Sequence, residues 1–552
     1  MNGKLLGNTG SLSRRKLLQG TAATLGAVTV AGSTSGGRSA IAAPRRAARA
    51  QGIGPDTLVI GMEAEISSFD PAVMTGTSTF RPVSSMFDML TNLWDETTEI
   101  QPDLAESWEI APDATSVTMK LRPGVKFHDG TDLNADAVVF SFERMLNPNS
   151  PDYHGPYAFP AFFFPSYKTS TAVDPLTVRF DLTQPDATFF SALVWNTGAI
   201  VSPTAAKAAG KDFQAAPVGA GPFRFVSWEK DVLTTMEAFP DYWKGAPTLK
   251  TLLWKPIVEE AARFNQLLSG EVDFIVSLYP QFVPVIESNP DLQLIQGPSL
   301  HTWWCYLNMH FEPFKDLKVR QAMNHAIDRQ SLITNVLQGT AIESNSWSWP
   351  DTWSFADDVT TYEYDPEKAK ALLAEAGYAN GFDLPYIVPA SGSGMVAPKE
   401  IATAMQADLA KVGVNVQIET LEWISYIAAV GTGLDDINGK QFGMCQMSWM
   451  NPVADPGLYV EYVSAGQGDA LGLNLSYYAN EEYNKLLADA RVSGDQEERA
   501  ELYKQAQRIF ADDAPWLFMF HSNFVTAARR NVEGIILSPN QNVLHLEGVT
   551  KA

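Results

Sequence analysis

The segment LPYIV at residues 384–388, continued by PKEIATAMQADLAKV at 398–412 and VNVQI at 414–418, decides the fold of this chain of 552 residues. Its outer pieces have the apolar or alternating pattern of strands, and the middle piece has the spacing of a helix that ends at Gly413. A strand, a helix and a second strand in this order normally form a β-α-β unit with adjacent parallel strands. The segment therefore predicts an α/β architecture.

On either side of this unit, the sequence pattern changes near residue 300. Strand patterns dominate before it, at residues 57–62, 116–121 and 177–182. Helical patterns become frequent after it, at 313–337, from Asp365-Pro366 to a cap at Gly377, and at 480–491 and 495–510. We therefore expect a β-rich first lobe and an α/β second lobe, with a switch near residues 301–306.

The charge and the cysteine content exclude several kinds of partner and site. Asp and Glu total 63 against 40 Lys and Arg, which gives a net charge of −23. Because a surface this acidic repels phosphate backbones and anionic lipids, no nucleic-acid partner is expected. Two cysteines, Cys305 and Cys445, cannot build a disulfide framework or a four-thiolate metal site. A single bridge stays open, but two buried free thiols are favoured.

The N-terminus has the pattern of an export signal. SRRKLL at residues 13–18 precedes a weakly apolar run at 20–32, which is typical of a twin-arginine signal peptide, and AIA at 40–42 predicts cleavage after Ala42. The run is too short and too rich in Gly and Thr to span about 30 Å of hydrocarbon. Since no cysteine lies near the cleavage site, we expect a soluble periplasmic protein without a lipid anchor.

Common catalytic and metal-binding motifs are missing from the sequence. No two of the seven histidines have the i, i+4 spacing of a zinc-protease helix, and Pro389 breaks the nearest G-x-S-x-G frame. Met444, Met447 and Met450 fall on opposite faces of an expected strand at 442–449, which separates the supposed ligands of a copper site. The sequence therefore predicts no catalytic residue, no metal and no cofactor.

Tryptophans are concentrated in the second half of the chain. Most tryptophans belong to cores, and two adjacent ones on a strand point to opposite faces. Tryptophans in loops that flank strands also suit a ligand cleft, because they bury a large area with little loss of rotamer entropy. Both interpretations stay open for the tryptophans at positions 303, 304, 347, 349, 353, 423 and 449.

Six motifs occur in an order that indicates a family. They are PDLAESW at 102–108, LRPGVKFHDG at 121–130, DAVVFS at 136–141, PVGAGPF at 217–223, LSGEVD at 268–273 and PFKDLKVRQA at 313–322. Together they resemble the signature of family 5 extracytoplasmic solute-binding proteins, the peptide, nickel and opine receptors of ABC importers. The agreement extends over nearly the whole chain after the signal peptide.

The resemblance implies a two-lobed fold of the periplasmic binding protein type that encloses a solute between its lobes. Lobe I would comprise residues 43–303, completed by 520–552, and lobe II residues 304–519, with a hinge between them. The implied function is a monomeric receptor, not an enzyme, that delivers a peptide or peptide-like small organic solute to the permease of an ABC importer. An oligosaccharide, an opine or an aromatic compound is an alternative ligand for the same fold.

The resemblance also indicates candidate ligand-binding residues. Those of the first lobe lie in the loop after SFDP at residues 68–71. Polar groups among the candidates would orient the solute, and tryptophan faces would supply apolar contact. The candidates are Thr75, Gly76 and Thr77, then Trp423, Trp449, Asn451 and Asp455 from the second lobe, with Trp303 or Trp304 near the hinge.

One segment departs from the family pattern. In peptide-binding members, a Trp-x-x-Asp-x-x-Asp-Pro-like segment supplies an aspartate, four residues before the proline, that pairs with the α-ammonium of the peptide. Here the segment at 449–456 reads WMNPVADP, so Pro452 takes that position. A buried ammonium without a carboxylate costs on the order of several kcal/mol. A free-amine peptide would therefore need Asp455, Glu422 or Asp70 as a substitute partner.

Two other classes of function stay open from the sequence. A secreted glycoside hydrolase would use a pair of Asp or Glu side chains, and turnover of a candidate sugar would reveal it. A periplasmic chaperone would bind unfolded segments through the patch formed by Phe159, Phe162, Phe163 and Phe164. Packing of that patch beneath a loop is the favoured interpretation.

Overall fold

The structure is a computed structural model that describes residues 54–392, 394–451, 453–466 and 473–552. The signal peptide predicted at residues 1–42 lies outside the described residues. Within them, no helix is both long enough and apolar enough to cross a membrane.

The strands confirm the local patterns of the first half, since those predicted at 57–62, 116–121 and 177–182 form with these bounds. The strands are Thr57–Met62, Thr91–Asn92, Gln101–Pro102, Ala105–Ile110, Ser116–Leu121, Tyr167–Asp174, Thr177–Leu182, Phe223–Glu229, Leu233–Ala238, Thr251–Pro256, Phe274–Ile275, Leu292–Leu307, Ala341–Glu343, Phe382–Pro389, Val414–Leu421, Met444–Met450, Trp516–Arg529, Val532–Glu533, Ile536–Leu537, Leu544–His545 and Thr550–Lys551.

Most of the long helices follow residue 300, as expected. The α-helices are Thr77–Ser84, Ala135–Leu146, Ala158–Phe163, Thr188–Ala192, Pro203–Ala209, Glu260–Ser269, Val283–Ser288, Leu317–His325, Arg329–Asn335, Pro366–Glu375, Pro398–Lys411, Trp423–Val430, Val460–Ser464, Glu481–Val492 and Gln496–Asp513, with 3-10 turns at Asn196–Gly198, Gly210–Ala215, Pro280–Phe282, Glu312–Lys315 and Pro456–Leu458.

The helical pattern predicted at 313–337 is divided in the structure. Asp316 accepts a hydrogen bond from the backbone N–H of Lys318 at 2.8 Å, and Asp328 accepts one from that of Ser331 at 2.8 Å. Each aspartate satisfies free amides at the start of a new helix. One apolar pattern therefore contains a 3-10 turn and two separate helices.

The β-α-β unit predicted from residues 384–418 is confirmed. Phe382–Pro389 and Val414–Leu421 pair in parallel, and Pro398–Lys411 connects them. They form one edge of a sheet that continues through Met444–Met450, Leu292–Leu307, Trp516–Arg529, Phe274–Ile275, Thr57–Met62, Thr251–Pro256, Leu233–Ala238 and Phe223–Glu229. A separate four-stranded antiparallel sheet contains Ala105–Ile110, Ser116–Leu121, Thr177–Leu182 and Tyr167–Asp174.

Two long antiparallel strands connect two regions of hydrophobic core. The first core contains buried residues from Leu58 to Val276 and again from Phe524 to Val549. The second consists of two clusters, on opposite faces of the sheet, with residues from Trp303 to Phe520. Leu292–Leu307 and Trp516–Arg529 pair over most of their length and contribute to both cores. Their register shifts between Gly297 and His301, where the strands leave the first core.

Candidate functional site

A cavity of about 470 Å³ is bordered by residues of both cores and of the strands that connect them. Its first wall comes from the segment 72–80 and from aromatic residues between 156 and 195, and its second wall from residues between 394 and 473. His301 borders it from the connecting strand Leu292–Leu307, and residues 541–542 border it from the C-terminal segment. All bordering residues within the described part of the chain are apolar, aromatic or uncharged polar side chains.

The loop before helix Thr77–Ser84 forms the polar part of the first wall. Thr75, Gly76 and Thr77, which the sequence singled out, all border the cavity. Gly76 has φ +82°, a conformation that side chains rarely adopt, and it places the chain at the helix start. Ser67 accepts a hydrogen bond from the backbone N–H of Thr75 at 3.2 Å, which fixes the loop.

Aromatic side chains form the rest of the first wall and meet those of the second. The rings of Phe163 and Trp195 lie 4.2 Å apart between centroids. The ring of Phe162 lies 5.0 Å from Tyr462 and 6.2 Å from Trp449, both of which belong to the opposite wall. Part of the phenylalanine patch that the sequence linked to a chaperone role therefore lies in the cavity wall.

The strand Met444–Met450 and a glycine loop form the second wall. The Trp449 ring borders the cavity and lies parallel to Tyr459, with 6.1 Å between centroids and 9° between planes. Gly394 has φ +73°, and a Cβ atom there would lie 2.9 Å from Cε1 of His301. Only glycine lets this loop approach the imidazole so closely.

His301 is an uncharged polar group of the cavity at neutral pH. Its side chain is 4% exposed, and burial lowers its pKa to about 4. The described residues provide no hydrogen-bond partner for its imidazole. A neutral imidazole has one N–H donor and one nitrogen acceptor. His301 can therefore donate to or accept from an enclosed molecule, or bind a metal through nitrogen.

Asn451 and Asp455 do not border the cavity. The Asn451 amide donates to the backbone oxygens of Val453 and Asp455 at 2.6 and 2.7 Å. The Asp455 carboxylate is 2% exposed, receives two hydrogen bonds from Arg499 at 2.7 and 2.8 Å, and accepts one from Ser191 at 2.6 Å. The Asp455 carboxylate and the Asn451 amide nitrogen are therefore already occupied within the protein, whereas Asn451 Oδ1 has no hydrogen-bond partner among the described residues.

Three of the predicted tryptophans also lie outside the cavity wall. Trp303 and Trp304 are each 1% exposed and point into different clusters of the second core. Trp304 stacks on Trp516 with 4.2 Å between centroids. Trp423 is half-buried and packs against Tyr426. Of the nine candidate residues, the structure thus brings Thr75, Gly76, Thr77 and Trp449 to the cavity.

The sequence did not point to His301, Trp195 or Asn542 as cavity residues. No histidine spacing marks His301 as a ligand, and Trp195 lies outside the tryptophan-rich half. No local motif marks Asn542, which reaches the cavity from the C-terminal segment. The phenylalanine cluster at 162–164 is the one sequence signal for this wall, and by itself it favours packing beneath a loop.

The described residues contain no group of three or more His, Cys, Asp or Glu side chains placed to hold a metal ion. Cys305 and Cys445 are both free and buried, as favoured from the sequence. Burial raises the pKa of the Cys305 thiol to about 12, so it stays protonated at neutral pH. Met444 and Met447 contribute to different core clusters, which confirms that they face opposite sides of their strand.

The fold and the cavity between its two cores define a two-lobed binding protein of the periplasmic type. Residues 99–470 match the family described as bacterial extracellular solute-binding proteins, family 5. The chain belongs to this family, which confirms the resemblance seen in the sequence.

Relatives and solved structures agree with this assignment over most of their length. The chain is 36% identical to heme-binding protein A of Haemophilus influenzae, covering 85% of this chain and 88% of that protein, and 32% identical to the dipeptide-binding protein of Escherichia coli, covering 88% and 92%. It superposes on DppA from Helicobacter pylori in complex with peptide STSA with a TM-score of 0.73, at 30% identity, covering 90% and 98%. HbpA2 from Haemophilus parasuis gives a TM-score of 0.78 at 28% identity, covering 90% and 100%.

Proposed function

We propose that this protein is an exported receptor that encloses a peptide or peptide-like small organic solute and delivers it unchanged to an ABC-type importer. The observation that carries the proposal is the cavity of about 470 Å³ bordered by residues of both cores. Its volume is that of sites for small organic ligands. Relatives named as dipeptide-binding and di/tripeptide-binding proteins support the peptide class.

In this proposal, lobe I comprises residues 43–303 with 520–552, and lobe II comprises residues 304–519. The distribution of buried residues supports the division, since the first core uses residues up to Val276 and from Phe524 onward, and the second uses those between. Leu292–Leu307 and Trp516–Arg529 then serve as the two hinge crossings. The receptor acts as a monomer and carries out no covalent chemistry.

Contacts between the proposed lobes support a closed form. Arg491 Nη1 lies 3.2 Å from the Asp186 carboxylate, and Ser191 donates to Asp455 at 2.6 Å. These pairs join the proposed lobes and form only when the lobes approach each other. A permease that engages the closed form would thereby distinguish loaded from empty receptor.

Thr75, Gly76, Thr77 and Trp449 are our proposed ligand contacts among the residues that the sequence singled out. The threonine hydroxyls would orient the solute, while the faces of Trp449 and Phe162 would cover its apolar part. The other predicted candidates are committed to core packing or to internal hydrogen bonds.

A ligand screen tests the receptor function. The mature chain is heated with peptides of two to five residues, oligosaccharides, opines and aromatic compounds, and hits are measured by calorimetry and recovered for mass spectrometry. We expect a concentration-dependent rise in melting temperature with at least one peptide-like compound, which is recovered unchanged. Conversion of a bound compound to product, or no response to any class, would contradict the proposal.

The export route has its own test. A twin-arginine signal requires both arginines, so Arg14→Lys with Arg15→Lys is expected to leave the precursor inside the cell. Fractionation compares it with a variant changed at Lys16, which keeps the pair. Equal export of both would exclude this route to the periplasm.

Haem is a second candidate ligand, because a neutral imidazole, His301, borders the apolar cavity and one relative is named heme-binding protein A. Titration with hemin would then shift the Soret band, and His301→Ala would abolish the shift. His310→Ala is the matched control, since His310 is an exposed histidine paired with Asp435 outside the cavity. An equal spectrum for the two variants would exclude His301 ligation.

A further inference from the structure

Two buried polar side chains that border the cavity have no hydrogen-bond partner among the described residues. The Asn542 amide is unpaired at both its oxygen and its nitrogen, although the residue is 0% exposed. The Trp195 indole N–H is unpaired as well, in a residue that is 5% exposed. Buried polar groups in native proteins are nearly always paired, so each unpaired group requires an explanation. Both residues border the cavity, where an enclosed molecule would supply the missing partner.

The unpaired groups are uncharged, and the nearby acids are not free to receive a charged ligand. Asp70 precedes the cavity loop, but Arg144 holds its carboxylate at 2.5 Å. Asp455 is held by Arg499 and Ser191. Glu422 is exposed and does not border the cavity. The three acids that would replace the missing ammonium partner of the family are therefore either neutralised within the protein or outside the site.

We propose that the cleft selects the uncharged, amide-containing body of a peptide-like solute, such as a terminally blocked or cyclic peptide with apolar side chains. This inference rests on the proposed receptor function. The Asn542 amide offers N–H donors and a carbonyl acceptor, which match the C=O and N–H of a neutral amide. Trp195 offers a donor, and His301 offers a neutral donor and acceptor. Aromatic faces of both walls cover the apolar side chains.

Four matched probes separate terminal charge from side-chain chemistry. They are Phe-Leu, Phe-Leu-amide, N-acetyl-Phe-Leu and N-acetyl-Phe-Leu-amide, measured by calorimetry at pH 7. We expect the doubly blocked probe to bind tightest and each terminal charge to weaken binding at least about 10-fold, because that charge is buried without a counter-ion.

The direction in which the affinity of one probe changes with pH is an independent test. The α-amino group of Phe-Leu-amide loses its proton near pH 8. Its affinity is therefore expected to rise about 10-fold between pH 6 and 9, while that of the doubly blocked probe stays constant. A fall in affinity over this range would show that the ammonium form is the one recognised, which would overturn the inference.

Matched tryptophan variants test the contact itself. Trp195→Phe removes an indole N–H at the cavity, and Trp254→Phe removes another buried, unpaired indole N–H that does not border it. Loss of one neutral hydrogen bond is expected to weaken binding of the doubly blocked probe about 3- to 10-fold in Trp195→Phe and less than 2-fold in Trp254→Phe. Asn542→Leu provides a second test, with an expected loss of at least about 3-fold.

The outcomes distinguish this inference from the receptor function. Tightest binding by free Phe-Leu, or equal effects of the two tryptophan variants, would overturn the inference. Failure of all four probes while the wider screen finds a charged ligand would also overturn it and leave the receptor function intact. Failure of the whole screen would contradict the receptor function itself.

Discussion

The Arg499→Met substitution removes one partner of an ion pair at the contact between the proposed lobes. Arg499 donates to both oxygens of Asp455 at 2.7 and 2.8 Å, and the two side chains are 7% and 2% exposed. Without Arg499, the buried carboxylate keeps the Ser191 hydroxyl and the backbone N–H of Gly457 as donors but has no counter-ion. An unpaired buried charge of this kind costs about 3–5 kcal/mol of unfolding free energy.

The same helix, Gln496–Asp513, provides the matched control. Arg508 donates to Asp358 at 2.9 and 3.0 Å, but these side chains are 40% and 58% exposed. Arg508→Met should therefore cost about 1 kcal/mol or less. Urea unfolding at pH 7.5, followed by tryptophan fluorescence, measures both variants, and adding Asp455→Asn to Arg499→Met should restore part of the loss. Equal losses in the two arginine variants would refute the reasoning.

Three further measurements test the cavity and the buried groups. Trp449→Ala should weaken binding of a confirmed ligand about 10- to 100-fold by calorimetry, whereas Trp423→Ala, outside the cavity, should change it less than about 2-fold. Burial lowers the pKa of His301 to about 4, so below about pH 6.5 the unfolded chain binds a proton at this residue that the folded chain does not bind. The free energy of unfolding therefore decreases as the pH is lowered from 7 to 4. In urea titrations, the unfolding free energy of His301→Gln should decrease by about 3 kcal/mol less between pH 7 and pH 4 than that of the wild type. An equal decrease in the two proteins would contradict this. Cys305 and Cys445 should not react with Ellman's reagent at pH 8 until the protein is denatured, and fast reaction of the native protein would show that the thiols are accessible.

Local patterns predicted most elements of the fold because short-range rules determine them. Asp365 caps the helix Pro366–Glu375, and Gly377 follows that helix with φ +89°, both as expected. The β-α-β unit could be predicted because a helix between two strands normally connects them as parallel strands of one sheet. The interruptions at Asp316 and Asp328 were missed, since an apolar pattern continues across a cap when both helices pack on the same core.

The cavity was harder to predict, because its residues come together only through the topology of the large sheet. Trp303 and Trp304 resembled cleft residues, but their strand lies in the interior of a sheet that is covered on both faces, so both side chains are buried. Phe162 and Asn542 border the same cavity although 380 positions separate them in the sequence. No local period relates two such residues, so only the assembled sheet identifies them.

The contacts of Asp455 show how one departure from the family pattern can change the chemistry of a binding site. With Pro452 at the aspartate position of the segment 449–456, Asp455 is one of three acids that could pair with a ligand ammonium, and charge alone would favour that role. The structure instead pairs it with Arg499, 44 residues later, and with Ser191, far earlier in the chain. A carboxylate that is already neutralised by a buried guanidinium offers little free-energy gain to a ligand cation, because it would have to give up an existing charge pair. The same acid therefore stabilises the contact between the proposed lobes, and in our proposal recognition is left to uncharged groups of the cavity.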